Sequence, residues 1–370
     1  MTLDRRSLLK ASLVGTVSTT GLLPLTSAAQ ERRFAPQKND WRTFELTTEV
    51  AVADVEGVTK LWLPIPDLDT DYQRTLNHSW SGNASLVRIV ADARSNVRMA
   101  YAEFPASADA PVLSFTSRFQ TRNRVTDWTR PSRPSEDPDT LRRNTQATDL
   151  LPTDGIVRDT ARRLTQGANT HVDKVRAIYD WVIANAHREP TTRGCGSGDI
   201  RAMLETGDLS GKCADLNALF VGLCRSCGIP ARDIYGVRLA PSAFPYKELG
   251  ANSANLKGAQ HCRAEVWLAD HGWVAMDPAD VLKVMRQETV TWIKDSQNAI
   301  AAPVKAGLFG GWEGNWVGWN TGHDITLPDS SSRTPIGFLM YPNGENSSGR
   351  FDELSPDSFR YKLAATEIKT

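Results

Sequence analysis

The chain has 370 residues, 40% of them hydrophobic and 23% charged, with eleven tryptophans; such a chain can bury a substantial core, which excludes a disordered protein. Lysine plus arginine equals aspartate plus glutamate at 43 each, so no global field is available to hold nucleic acid or an anionic membrane. The length exceeds that at which one hydrophobic core usually stops growing, and more than one domain is expected.

Residues 1–29 read as an export leader. Asp4-Arg5-Arg6-Ser7-Leu8-Leu9-Lys10 precedes a mildly apolar stretch to Leu25, and Ser27-Ala28-Ala29 supplies small residues for cleavage. The paired arginines followed by Ser-Leu-Leu-Lys resemble a twin-arginine signal, which predicts a periplasmic or secreted protein after export. Gly15, Gly21 and Pro24 make the stretch a poor membrane span, and no other run is long enough, so no membrane span is expected in the mature chain. Five cysteines, at 195, 213, 224, 227 and 262, require at least one unpaired thiol in an exported protein.

From residue 30 to 130 the apolar pattern has period two. Runs beginning at Trp41, Val58, Leu86, Val97 and Val112 alternate and are separated by Pro, Gly, Asn, Asp and Ser, which predicts a β-sandwich domain. Residues 131–140, with prolines at 131, 134 and 138, read as a linker. In the 141–300 segment the period changes. Val172, Val175, Ile178, Tyr179 and Val182 recur at helical spacing behind a Thr170 cap. A second helix opens near Cys213 and stops at Gly228-Ile229-Pro230. Strands follow at 233–239, 262–268 and 273–276, giving an α+β order. Residues 301–370 start with a Gly/Trp-rich stretch read as an ordered loop. Trp312, Trp316 and Trp319 could line an amide or glycan groove, with buried packing the favoured use. Strands at 336–341 and 359–368 close the chain, expected to pack on the catalytic domain.

The chemistry concentrates in two places. Cys213 opens a helix after Gly211-Lys212, where the positive end of the helix dipole favours a thiolate and first-turn N–H groups can hold an oxyanion. A hairpin turning at His271-Gly272 has His261 at the start of one strand and Asp277 at the end of the other. A thiol, an imidazole and an orienting carboxylate are what nucleophilic catalysis by cysteine needs.

Gly211-Lys-Cys-x-Asp-x-x-x-Leu-Phe220, then Gly228-Ile-Pro-Ala-Arg232, His261-x-x-x-Glu-Val-Trp-Leu268 and Gly272-Trp-Val-x-Met-Asp-Pro278 resemble the core of the transglutaminase-like superfamily. The order is Cys, His, Asp, at separations of 48 and 16 residues. The resemblance covers about Val172 to Pro278. It implies a papain-like fold with the Cys213 helix packed on an antiparallel sheet, Cys213 as nucleophile, His261 as base and Asp277 as orienter. The preceding β domain is also similar to the layout of bacterial members. The implied activity is acyl transfer from a peptide or protein amide through a thioester, with peptidase or amidase hydrolysis placed first; protein crosslinking or a binding-only module are the alternatives. No cofactor and no metal are called for. Members often carry an aromatic two residues after the histidine, where Arg263 stands here, and that bears on substrate preference.

Cys224-x-x-Cys227 with Cys195 and Cys262 could supply a zinc site or disulfides, but the pair ends an apolar helix, and buried thiols are expected. Asp215 is read as structural, and Glu265 as a partner for Arg232 or its neighbours. His78, His171, His187, His271 and His323 are read as surface or structural.

Overall fold

The computed structural model describes residues 32–53, 55–357 and 359–369; the leader predicted at 1–29 lies outside them. The first half is built from six strands: β1 (Arg42–Val52), β2 (Thr59–Pro64), β3 (Gln73–Gly82), β4 (Leu86–Ala91), β5 (Arg98–Phe104) and β6 (Val112–Thr121). In β1 the alternation Phe44, Leu46, Val50, Val52 puts one face inside. β3 has no such signal, because its sequence Gln-Arg-Thr-Leu-Asn-His-Ser-Trp-Ser-Gly is mostly exposed, and sequence reasoning passes over it.

Two antiparallel sheets form, and both need the end of the chain. Strand Phe359–Ile368 pairs with β1 along ten residues, in a sheet that continues through β6 to β3. Strand Asn343–Asn346 pairs with β2, beside β5 and β4. Val50, Phe115 and Phe359 from one sheet share a core with Leu61, Leu63 and Ala102 from the other. The final strand therefore completes the first sheet and also packs on the second half, where Leu363 and Ala365 join its core and its other edge is bonded. That edge receives a hydrogen bond from Leu256 N at Leu363 O, 2.9 Å, and donates one from Ala365 N to Ser253 O, 2.8 Å. Residues 336–341 do not form a strand; Ile336 makes a single bridge to Ile325, and Leu339 packs on Trp62 and Tyr101.

The second half is helices on a sheet of order Gly272–Met276, Arg263–Leu268, Ala231–Arg238, Trp316–Asn320. The cysteine helix, Cys213–Ser226, is buried at every residue from Cys213 to Arg225, as its apolar character all round requires. Gly228 ends it at φ +74°; its N–H reaches Arg225 O and the next, Ile229 N, reaches Cys224 O, the double bond of a left-handed helix stop. Helix His171–Asn185 starts with reciprocal bonds between Thr170 and Asp173. The Gly/Trp-rich stretch is an ordered element, not a loop: Trp316–Asn320 pairs with Ala231–Arg238, and Trp312, Trp316 and Trp319 are fully buried.

The predicted linker does not separate two bodies, since Arg32–Thr370 form one unit. Ser132 N and Arg133 N bond to Asp270 O in the hairpin turn, and Trp273 Nε1 donates to Glu136 at 2.6 Å. Between the sheets lies Glu265, wholly buried, held by Arg232 at 2.6 Å and by Arg124, from the segment after β6, at 3.3 Å. Among the described residues no helix is long and apolar enough to cross a membrane.

Candidate active site

Three segments converge on one buried point: the N-terminus of the cysteine helix, the position two residues before strand Arg263–Leu268, and the residue before helix Pro278–Gln287. Cys213, His261 and Asp277 are 2%, 3% and 0% exposed. His261 Nε2 donates to Asp277 Oδ2 at 2.7 Å, and the imidazole lies close enough to Cys213 to lower its thiol pKa. With Nε2 held by carboxylate, Nδ1 is the nitrogen left for sulfur.

The hairpin register explains the convergence. Ala264 faces Met276 in the ladder, so one step further brings Asp277 level with Arg263, within reach of His261. Asp277 is also the N-cap of its helix, with Pro278 at the first helical position. Its Oδ1 accepts from Asp280 N at 3.1 Å and from Asn217 Nδ2 at 3.3 Å, leaving Oδ2 for the imidazole. One carboxylate thus starts a helix and fixes a histidine tautomer.

Asn217 and Asp280, which sequence reasoning did not single out, and Cys195, which it weighed only as a structural thiol, complete the site. Asn217 lies one turn along the helix from Cys213 and also donates to Cys262 O at 2.9 Å; its i+4 spacing from the cysteine is the signal that marks it. Asp280, three residues after Asp277, places Oδ2 3.3 Å from His261 Nε2 and pairs through Oδ1 with buried Arg238. Cys195, far in sequence, is brought beside Cys213, its Sγ donating to Gln260 O at 3.5 Å. Nothing local in the sequence marks it, because a tertiary contact brings it there. Ala214 N donates to Cys195 O at 2.9 Å, while Asp215 accepts from Ser197 N, Gly198 N and Lys212 N, each at 2.9 Å. Asp215 therefore clamps the 195–198 loop to the start of the cysteine helix. Gly196 is required there: at φ +97° a Cβ would stand 1.7 Å from the Asp215 carboxylate.

The electrostatics put one negative charge on Cys213. The neighbouring thiols Cys195 and Cys262, together with His261, outweigh burial and hold the Cys213 thiol well below its ordinary range. Cys195, chiefly through its neighbour Cys213, and Cys262, chiefly through burial, are pushed well above theirs. Burial and then Arg238 depress His261, yet Asp280 and Asp277 outweigh both and raise it to about 9. These directions favour a thiolate beside an imidazolium.

His261, Asp277 and Asp280 have ligand atoms within 4.8 Å of one another. Their need for positive charge is met by the imidazolium, by Arg238, and by Arg263, whose Nε lies 3.7 Å from Asp277 Oδ2. Arg263 is buried against the faces of Trp312 and Trp316, 5.1 and 4.7 Å from their centroids. It stands beside the carboxylate, as buried as the residues it supports. Trp316 Nε1 bonds to His261 O at 2.9 Å, fixing the backbone of the histidine. The other predicted positions lie elsewhere. Cys224 and Cys227 end the cysteine helix, and all five cysteines are free. His271 packs on Trp128 and His323 on Tyr235.

A helix-opening cysteine facing a histidine and carboxylate on an antiparallel sheet is the core of the transglutaminase-like superfamily, whose model matches residues 158–278. The chain belongs to that superfamily. More particularly, it is 31% identical over 328 residues to an uncharacterized protein of Haemophilus influenzae, covering 85% of this chain and 87% of that one. It is 24% identical over 273 residues to the uncharacterized protein YebA of Bacillus subtilis, across 70% of this chain but only 35% of that protein. Among solved structures, a Cytophaga hutchinsonii protein described as a "Putative Cysteine Protease" aligns over 89% of this chain and 99% of its own, at 17% identity and TM-score 0.48. The periplasmic domain of TgpA from Pseudomonas aeruginosa aligns over 67% and 92%, at 17% identity and TM-score 0.34.

Proposed function

We propose that the protein is a thiol enzyme that transfers the acyl group of a peptide or protein amide to Cys213, with water as the usual acceptor. The observation that carries this reading is the Cys213 thiol, held below its ordinary range, against a His261 raised to about 9 and oriented by Asp277. The thiolate attacks the amide carbonyl carbon, and the resulting oxyanion faces the backbone N–H of Cys213 at the helix N-terminus. His261 gives its proton to the leaving amine as the C–N bond breaks, which leaves a thioester and a neutral imidazole. Water then loses a proton to His261 and attacks the thioester. The carboxylic acid departs and the thiolate–imidazolium pair is restored.

Water is favoured as acceptor because residues 1–29 read as a twin-arginine leader, and a protein exported to the periplasm or beyond works where water is abundant. The test is incubation with a glutamine peptide and a labelled primary amine, followed by mass spectrometry. Cys213-dependent hydrolysis without label is the expected result. Cys213-dependent label incorporation would replace hydrolysis with crosslinking. No product, with Cys213 alkylated no faster than Cys227, would overturn the reading in favour of a binding module.

A further inference from the structure

A cleft of about 580 Å³ opens beside the buried thiol. Its wall includes the residues that precede the two central groups, Lys212 before Cys213 and Gln260 before His261, together with Cys195, whose Sγ donates to Gln260 O at 3.5 Å and whose backbone O accepts from Ala214 N. The cleft thus borders both segments that carry the central groups. Its charge is one-sided: Arg188, Lys212, Lys257, Arg360 and Lys362 line it against a single carboxylate, Glu353. Lys257, Arg360 and Lys362 are exposed; Asp352, next to Glu353, is already paired with Arg193, and Glu49, across the strand pair from Lys362, lies outside the cleft wall. For a chain with equal numbers of basic and acidic residues, this concentration beside the thiol is a local feature, and a concave surface of one sign focuses its field on what enters.

We infer that the acyl donor is anionic: a peptide segment or small amide carrying carboxylates beside the bond that Cys213 attacks. This rests on the reading of Cys213 as acyl carrier. The cations do not touch the reacting atoms; they select the substrate by charge.

The test compares alkylation of Cys213 by iodoacetate and by iodoacetamide, which differ in charge and react by the same displacement of iodide. Rates are read by peptide mapping in the wild type and in a Lys257→Gln, Arg360→Gln, Lys362→Gln triple variant. The iodoacetate-to-iodoacetamide rate ratio is expected to fall roughly three- to tenfold in the variant, and to fall with added salt in the wild type. An unchanged iodoacetamide rate reports that the variant folds and that the thiolate is intact. A ratio that does not move between wild type and variant overturns the inference. Failure of both reagents to label Cys213 faster than Cys227 instead overturns the functional reading beneath it. As a second measurement, glutamine peptides flanked by glutamate are expected to be turned over faster than the same peptides flanked by lysine; the reverse order contradicts an anionic donor.

Discussion

Replacing Asp277 with asparagine removes a charge while keeping the shape that caps helix Pro278–Gln287, since an asparagine oxygen can still accept from Asp280 N. His261 stands at about 9 against an ordinary 6.5, a difference that corresponds to about 3 kcal/mol of net interaction favouring the charged ring. Asp280 and Asp277 supply it together, with Asp280 3.3 Å and Asp277 2.7 Å from Nε2. Loss of one leaves the other, so the midpoint is expected to fall by roughly one pH unit, without returning to the ordinary range. The assay is an NMR titration of the His261 Cε1–Hε1 group, assigned by comparison with His261→Ala. A wild-type midpoint near 6.5, or one that Asp277→Asn leaves unmoved, would refute the reasoning. The same shift has a stability consequence. Because the folded value is raised, the contribution is full below pH 6.5 and is lost as pH rises through about 9. The depressed Cys213 contributes with the opposite sign in both proteins, so it is the stability gap between wild type and Asp277→Asn that is expected to narrow between pH 6 and pH 10.

Cys213→Ala is expected to abolish acyl transfer with the circular dichroism spectrum retained, whereas Asp277→Ala lowers the rate to a measurable residue; equal residual rates would contradict the assigned roles. Glu265→Ala leaves Arg124 and Arg232 without their buried carboxylate and is expected to cost about 3–5 kcal/mol in denaturant unfolding. Asn217→Ala takes donors from Asp277 Oδ1 and from Cys262 O, costing about 1–3 kcal/mol by the same measurement.

The triad was legible because its signals are local: a glycine before a helix-opening cysteine, and a short hairpin whose register alone brings His261 and Asp277 to one end. The helices were legible from Thr170 and from Gly228-Ile229-Pro230 for the same reason. What escaped depends on contacts between distant segments. Cys195 meets Cys213 only because Asp215 gathers three backbone N–H groups from a loop and a helix start. The last strand reads as an element, but its partner β1 lies more than three hundred residues away, and no periodicity encodes pairing at that range. β3 was missed because its side chains face water and leave no alternation to read. Arg263, which looked like a substrate-facing departure from the superfamily, is wholly buried, and its place is beside Asp277.

The account turns on Cys213 being ionised while the other thiols near it are not. Thiolate absorbance near 240 nm, followed against pH in the wild type and in Cys213→Ala, tests this without a substrate. The difference between the two is expected to persist from the alkaline range to below the point where a free cysteine becomes neutral. A difference that vanishes as pH falls below 8 would contradict it.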